Sequence, residues 1–265
     1  MFDFANILLS GKCNARCPFC IGRQLEPWLN QNNLDEYPPR NLGRFIELVR
    51  QERVRQVVVT GTNTDPQLYH HEGRLLEHLR RALPEDVQIS LHTNGRLASH
   101  KMAVINQYDR VALSLPSFAP QTYRRMMGVA GVPDLYEIMS NMNISYKISC
   151  IIGDDNAAEM GGFLARCREL GVKSVVLRKL YGEPRSWQEL LSPALKPDGL
   201  NPPKGAETVR MVLAQMGRES YRGNPVVELP GMQVTLWDFA QTQSTSLNLF
   251  SNGLISSSYL LAKAG

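Results

Sequence analysis

Hydrophobic positions along the chain fall into short, near-continuous runs separated by longer stretches where they recur every three or four residues. The runs "FANILL" (4–9), "RQVVVTG" (55–61), "VQISLH" (87–92), "RVALSL" (110–115), "SYKISCIIG" (145–153) and "KSVVLRKL" (173–180) read as strands. Between them, residues 41–54, 66–83, 96–107, 120–128, 134–142 and 157–170 carry the pattern of helices. In 66–83, for example, Leu68, Leu75, Leu76, Leu79 and Leu83 share one helical stripe. Strands that are apolar throughout and alternate with helices imply a parallel sheet covered by helices. Tandem right-handed βα steps fit a partial or full (β/α) barrel, or an open doubly wound sheet. Periodicity does not separate the two.

The pattern changes after residue 181. Residues 182–205, rich in proline and polar side chains, read as a long irregular connection. A helix follows over 206–219, then strand-like segments at 233–239, 246–250 and 254–261, with a hairpin signal at Asn252-Gly253. The expected organisation is therefore a core over 1–181 and a C-terminal extension over 182–265 that caps or extends the sheet.

Composition bounds the function classes. The chain has 265 residues, 43% of them hydrophobic and 20% charged, which suits a globular protein with a full core. A net charge of +4 is compatible with an anionic ligand but too small to indicate nucleic acid or a membrane surface, and neither is expected as a partner. No apolar run is long enough to span a bilayer. The first residues, "MFDFANILLSGKC", place Asp3 and no base ahead of a short apolar stretch, unlike a signal peptide. Five cysteines, an odd number, argue against a secreted disulfide scaffold. A cytoplasmic location is expected.

Three of those cysteines crowd into "GKCNARCPFCIGR" (11–23). Spacings of four and three would put Cys13, Cys17 and Cys20 on one helical face as core residues. Pro18 would break that helix, and Gly11 and Asn14 favour a turn. Lys12, Arg16 and Arg23 flank the thiols, a setting expected to favour thiolates and hence metal binding. Structural zinc takes four ligands, usually as two close pairs, and no histidine precedes His70 and His71. A zinc-binding interaction protein therefore lacks a near fourth ligand. Iron–sulfur clusters also take thiolates, and three on a four-iron cubane leave one iron open to a further ligand.

The C-x-x-x-C-x-x-C spacing after the first strand, with Phe19 between the last two cysteines, resembles the radical S-adenosylmethionine (radical SAM) superfamily. The resemblance covers roughly residues 4–181 and implies an α/β fold, a partial (β/α)6 TIM-like barrel, here followed by an extension of a helix and short strands. It further implies a [4Fe-4S] cluster on Cys13, Cys17 and Cys20 whose open iron chelates S-adenosylmethionine. An electron then cleaves the sulfonium to give a 5′-deoxyadenosyl radical. That electron comes from an external one-electron reductant such as flavodoxin or ferredoxin. Phe19 is expected beside the nucleoside.

Other strand ends add to the likeness. "TGTNTDP" (60–66) stands where the family has Gly-Gly-Glu-Pro, so Gly61, Thr62, Asn63 and Asp65 are expected at the cofactor. The second glycine is absent, and read locally Asp65 and Pro66 simply start a helix. Thr93 and Asn94 in "LHTNG", Ser114 in "VALSLPS" and Ile152 in "KISCIIGDDN" complete the cofactor-binding set that the resemblance implies. Cys150 and Cys167 read as core and lack the spacing of an auxiliary cluster, so a single-cluster member is expected.

The substrate is less legible. Arg178, Lys179 and Tyr181 at the sixth strand end are candidates to hold a carboxylate or phosphate, although neighbouring strand residues face opposite ways. Trp187, Trp237 and Asp238 are further candidates, with core packing the better expectation for Trp237. The leading expectation is a radical SAM enzyme that abstracts hydrogen from a small polar or anionic metabolite in a biosynthetic pathway. A peptide or protein substrate, as for a glycyl-radical activase, is the alternative.

Overall fold

The Val-, Ile- and Leu-rich runs pair side by side, because each needs strand neighbours for its main-chain polar groups once both faces are buried. The computed structural model describes residues 2–196 and 204–258. In chain order the first half holds β1 (Phe4–Leu9), α1 (Leu42–Gln51), β2 (Gln56–Gly61), α2 (Glu72–Ala82), β3 (Gln88–Thr93), α3 (Ala98–Ile105), β4 (Arg110–Ser114), α4 (Pro120–Met127) and α5 (Leu135–Ser140). There follow β5 (Ser145–Ile152), α6 (Met160–Glu169), β6 (Ser174–Lys179), α7 (Trp187–Leu191), α8 (Ala206–Gln215), β7 (Glu219–Tyr221), β8 (Asn224–Leu229), β9 (Met232–Trp237), β10 (Ser246–Leu249) and β11 (Ile255–Ser256). No helix among the described residues is long and apolar enough to cross a membrane.

The chain forms two compact units. The first comprises the described residues of Met1–Ala112, Pro133–Ser145 and Ser244–Gly265. Its strands run in the order β11-β10-β1-β2-β3. The pairs β10/β1, β1/β2 and β2/β3 are parallel, and β11 is antiparallel to β10. Ala5 lies opposite Val57 and Ile7 opposite Val59, and Ile89 and Leu91 continue these rows on β3. All six are buried. On the other face of β1, buried Asn6 is satisfied by Asn248 of β10, to which its Nδ2 donates at 2.7 Å.

The second unit comprises Leu113–Val132 and Tyr146–Gln243. Its strands run β5-β6-β9-β8-β7, with β5, β6 and β9 parallel and β8 and β7 antiparallel. Helix α6 covers one face, where Cys150 approaches Met160 at 4.0 Å, and both Cys150 and Cys167 are fully buried. Burial pushes both thiols up, as befits core cysteines.

Every strand expected through residue 180 is present. The differences lie mostly in the extension. The stretch 182–205 contains helix α7, closed by a capping box in which Ser186 Oγ accepts from Glu189 N and the Glu189 carboxylate accepts from Ser186 N. Strands β7 and β8 were not expected; β7 is exposed throughout, so it carries no alternation, and β8 contains Pro225. They join through Arg222 and Gly223, both at positive φ. The helix expected over 206–219 ends at Gln215. The helix expected over 66–83 is divided into a 3-10 turn, Pro66–Leu68, and α2. The last expected strand, 254–261, is described only at Ile255–Ser256, and its final residues lie outside the described ones. The extension supplies strands to both units, β10 pairing with β1 and β9 with β6.

Candidate active site

The site grows from the three residues that follow β1. Ser10 and Gly11 reverse the chain against the loop after β2: Ser10 Oγ donates to Asn63 Oδ1 at 2.7 Å and Gly11 N to the same oxygen at 3.1 Å. Thr62, which is buried, donates to the Leu9 carbonyl through both N (2.9 Å) and Oγ1 (3.3 Å). Thr64 Oγ1 reaches the Lys12 carbonyl at 3.2 Å. The loop carrying the cysteines is thereby tied to the end of β2 by the side chains of Thr62, Asn63 and Thr64, each hydrogen-bonded to its main chain or to that of the strand before it.

One glycine lets the loop after β2 close on itself and another lets the cysteine loop pack against it. A Cβ on Gly61 would stand 1.9 Å from the Thr64 carbonyl oxygen, so only glycine allows the turn 61–64 to close. A Cβ on Gly22 would meet the Asn63 nitrogen at 2.7 Å, so the turn after Cys20 packs directly on the main chain after β2.

The thiols sit in this frame outside any α-helix, as Pro18 requires. Cys20 Sγ donates to the Thr62 carbonyl at 3.2 Å, and Cys13 Sγ accepts from Ala15 N at 3.4 Å. All three are half-buried and none is in a disulfide. Burial pushes Cys17 up to about 12, and its neighbours Cys20 and Cys13 add to the rise. Cys13 is also raised, first by burial. This reverses the lowering expected from the flanking bases. Lys12, Arg16 and Arg23 are exposed, so water screens them while burial acts on the thiols directly.

Asp65 joins the loop to β3. Its carboxylate accepts from Gln67 N (3.0 Å), Asn94 N (2.6 Å) and Thr93 Oγ1 (2.9 Å). Burial raises its pKa, and those three donors oppose the rise. The local reading of Asp65 and Pro66 as a helix start holds too: Asp65 caps the 3-10 turn and Pro66 is its first residue. Asn94 Nδ2 reaches back to Asn14 Oδ1 in the cysteine loop at 2.7 Å. The fold therefore brings together Cys13, Cys17, Cys20, Gly61, Thr62, Asn63, Asp65, Thr93 and Asn94, with Phe19 half-buried among them in sequence. Ser10, Asn14, Gly22 and Thr64 belong to the same constellation and carry no sequence signal of their own beyond being turn formers.

The remaining candidates belong to the second unit. Ser114 is exposed at the end of β4, and the Ile152 side chain is fully buried at the end of β5. Arg178 and Lys179 part as strand neighbours must. Lys179 is 5% exposed, with Nζ 2.8 Å from Asp238 Oδ2 and 5.4 Å from the Trp187 ring centroid. Arg178 shares the opposite face with its register partner Trp237, its guanidinium 5.9 Å from that ring. Tyr181 lies 6.4 Å from Phe239, ring to ring.

Among the described residues no three His, Cys, Asp or Glu side chains converge to hold one ion. Three thiolates that bind three different irons of a cubane need not converge on one ion, and a disulfide-free thiol set of this kind suits a cluster.

A parallel βα array with a thiol loop at the head of its first strand defines a cluster-bearing α/β enzyme class. The Radical SAM superfamily model matches residues 7–153, more than half of the chain, and the chain belongs to that superfamily. The family's cofactors, a [4Fe-4S] cluster and S-adenosylmethionine, are those of this chain. Among curated proteins, the "Probable GTP 3′,8-cyclase" of Thermococcus kodakarensis is 30% identical over 49% of this chain and 40% of its own length. The "GTP 3′,8-cyclase" of Aliarcobacter butzleri is 23% identical over 56% of this chain and 46% of its own. The chain thus spans less than half the length of these relatives. Among solved structures, Streptococcus suis SuiB superposes with a TM-score of 0.62 at 15% identity, over 97% of this chain and 60% of SuiB. That likeness bears out the α/β partial TIM-like barrel.

Proposed function

We propose that Cys13, Cys17 and Cys20 are the cluster ligands and that the loop 61–65, with Thr93 and Asn94, receives S-adenosylmethionine. The observation that carries this reading is the glycine-enforced contact of the cysteine loop with the main chain at Thr62 and Asn63. Together the cluster and S-adenosylmethionine supply a one-electron cleavage that ends in removal of a substrate hydrogen. One electron and one S-adenosylmethionine would give methionine, 5′-deoxyadenosine carrying the substrate's hydrogen, and a substrate radical. The chain's own part is to hold the thiolates apart, shape the cofactor loop and keep water from it. Phe19 packs against the nucleoside.

The substrate we propose is a small anionic metabolite of a biosynthetic pathway, with a nucleotide as the first class to test, since the relatives' names specify GTP. Arg178 is its anion-binding residue and Tyr181 a ring-stacking contact; Lys179 faces the other way and is paired with Asp238 instead. The reductant is a flavodoxin or ferredoxin, the compartment is the cytoplasm, and residues 1–181 form the cofactor core that 182–265 completes.

The test is anaerobic reconstitution of the purified chain, followed by dithionite and S-adenosylmethionine. A brown protein that releases 5′-deoxyadenosine is expected, and Cys17→Ala should abolish both properties. A colourless protein binding one zinc ion would overturn the assignment. Deuterium carried into 5′-deoxyadenosine from labelled nucleotides, but not from peptides, identifies the substrate class.

A further inference from the structure

Helix α3 is not regular. It leaves helical geometry at Lys101 (φ −115°, ψ 18°), the residue whose side chain reaches across to the loop after β2. Lys101 Nζ donates to the Gln67 carbonyl, inside the 3-10 turn, and to Glu72 Oε2 at 2.9 Å. Glu72 opens α2 and is 2% exposed, while Lys101 is 30% exposed. The second Glu72 oxygen accepts from the buried Tyr108 hydroxyl at 3.2 Å. Burial raises the Glu72 carboxyl, and Lys101 opposes that rise.

A buried carboxylate is costly, and a buried ion pair seldom stabilises more than apolar side chains of the same volume. A helix interrupted to supply the cation adds further cost. Stability therefore does not explain the arrangement; what it accomplishes is geometric. The Gln67 carbonyl that Lys101 holds belongs to the residue whose N–H binds Asp65. A continuous polar chain thus runs from Tyr108 and Glu72 through Lys101 and Gln67 to Asp65, Asn94 and Asn14. It ends in the cysteine loop.

We infer that Lys101 and Glu72 are positioning residues: they lock the turn Pro66–Leu68 and so preset the loop 61–65 for S-adenosylmethionine. The inference rests on the reading of that loop as the cofactor's, and neither residue touches the cofactor or the reacting atoms.

Lys101→Met, Lys101→Arg and the neutral pair Glu72→Gln/Lys101→Met test it, the pair guarding against a fold lost merely to an unpaired buried charge. Loss of an outer support of this kind costs on the order of tenfold or more in affinity. Lys101→Met and the pair should raise the KM for S-adenosylmethionine about tenfold, with kcat changed less than about twofold, and Lys101→Arg should restore most of the affinity. In the metal-free protein, hydrogen exchange across residues 62–69 should quicken in the same two variants while β1 and β2 exchange as before. Unchanged exchange at 62–69, or quickened exchange with an unchanged KM, overturns the inference. Asp65→Ala separates it from its premise. If Asp65→Ala also leaves KM unchanged, the loop assignment fails; if Asp65→Ala raises KM and the Lys101 variants do not, only the positioning role fails.

Discussion

The loops after β1 and β2 and the ends of β6 and β9 meet different demands. In the first region Thr62, Asn63 and Thr64 bond to main chain, and Gly22 removes the atom that would keep the loops apart. In the second, aromatic rings and a guanidinium are set side by side, with Tyr181 53% and Phe239 45% exposed. Its one buried cation on the helix-covered face, Lys179, is neutralised by Asp238. A shared cofactor needs a fixed receptacle; a substrate that differs from member to member needs replaceable side chains on a fixed sheet.

The comparison can be broken most severely at Lys179. Lys179→Met leaves the buried Asp238 charge unpaired and should cost about 3–5 kcal/mol in urea denaturation. The double variant Lys179→Met/Asp238→Leu should recover most of that loss. A single variant as stable as the parent would show that the pair does not organise the second region. In the first region, Gly61→Ala forces the Thr64 carbonyl to move and should cost about 1–3 kcal/mol, with weakened S-adenosylmethionine binding by equilibrium dialysis.

Arg178→Ala should act on substrate alone. Losing a charge-assisted contact raises the KM for an anionic substrate about tenfold. The slow cleavage of S-adenosylmethionine without substrate should not change, and a parallel loss there would place Arg178 at the cofactor instead. The smallest effect concerns Glu183, held down to about 2 by its hydrogen bonds from Arg185. A lowered carboxyl stabilises the fold above its unfolded value, about 4.3. That contribution fades as pH falls through about 2. Arg185 is 38% exposed, so solvent screening keeps the contribution below about 1 kcal/mol. Arg185→Gln should flatten the acid limb of stability against pH by that amount.

Much of this was legible along the chain. Continuous apolar runs can only be strands covered on both sides, which is why β1 to β6 fall where the pattern puts them. The capping box at Ser186 and Glu189 was also there to be read, but the prolines at 184 and 193 obscured it. Strands β7 and β8 were not readable, since an exposed three-residue strand has no buried face to impose a period.

For the site, residue type and local spacing were enough to mark the cysteines, because a proline-broken thiol triplet has few other uses. The alternation of a strand likewise required Arg178 and Lys179 to face apart. Which of them would be neutralised depended on Asp238, fifty-nine positions further on, arriving through the parallel pairing of β9 with β6. The raised Cys17 thiol and the reach of Lys101 to Gln67 are of the same kind. Periodicity and spacing are properties of neighbours in the chain, whereas burial, charge pairing and close approach are set by segments that meet only when the chain has folded.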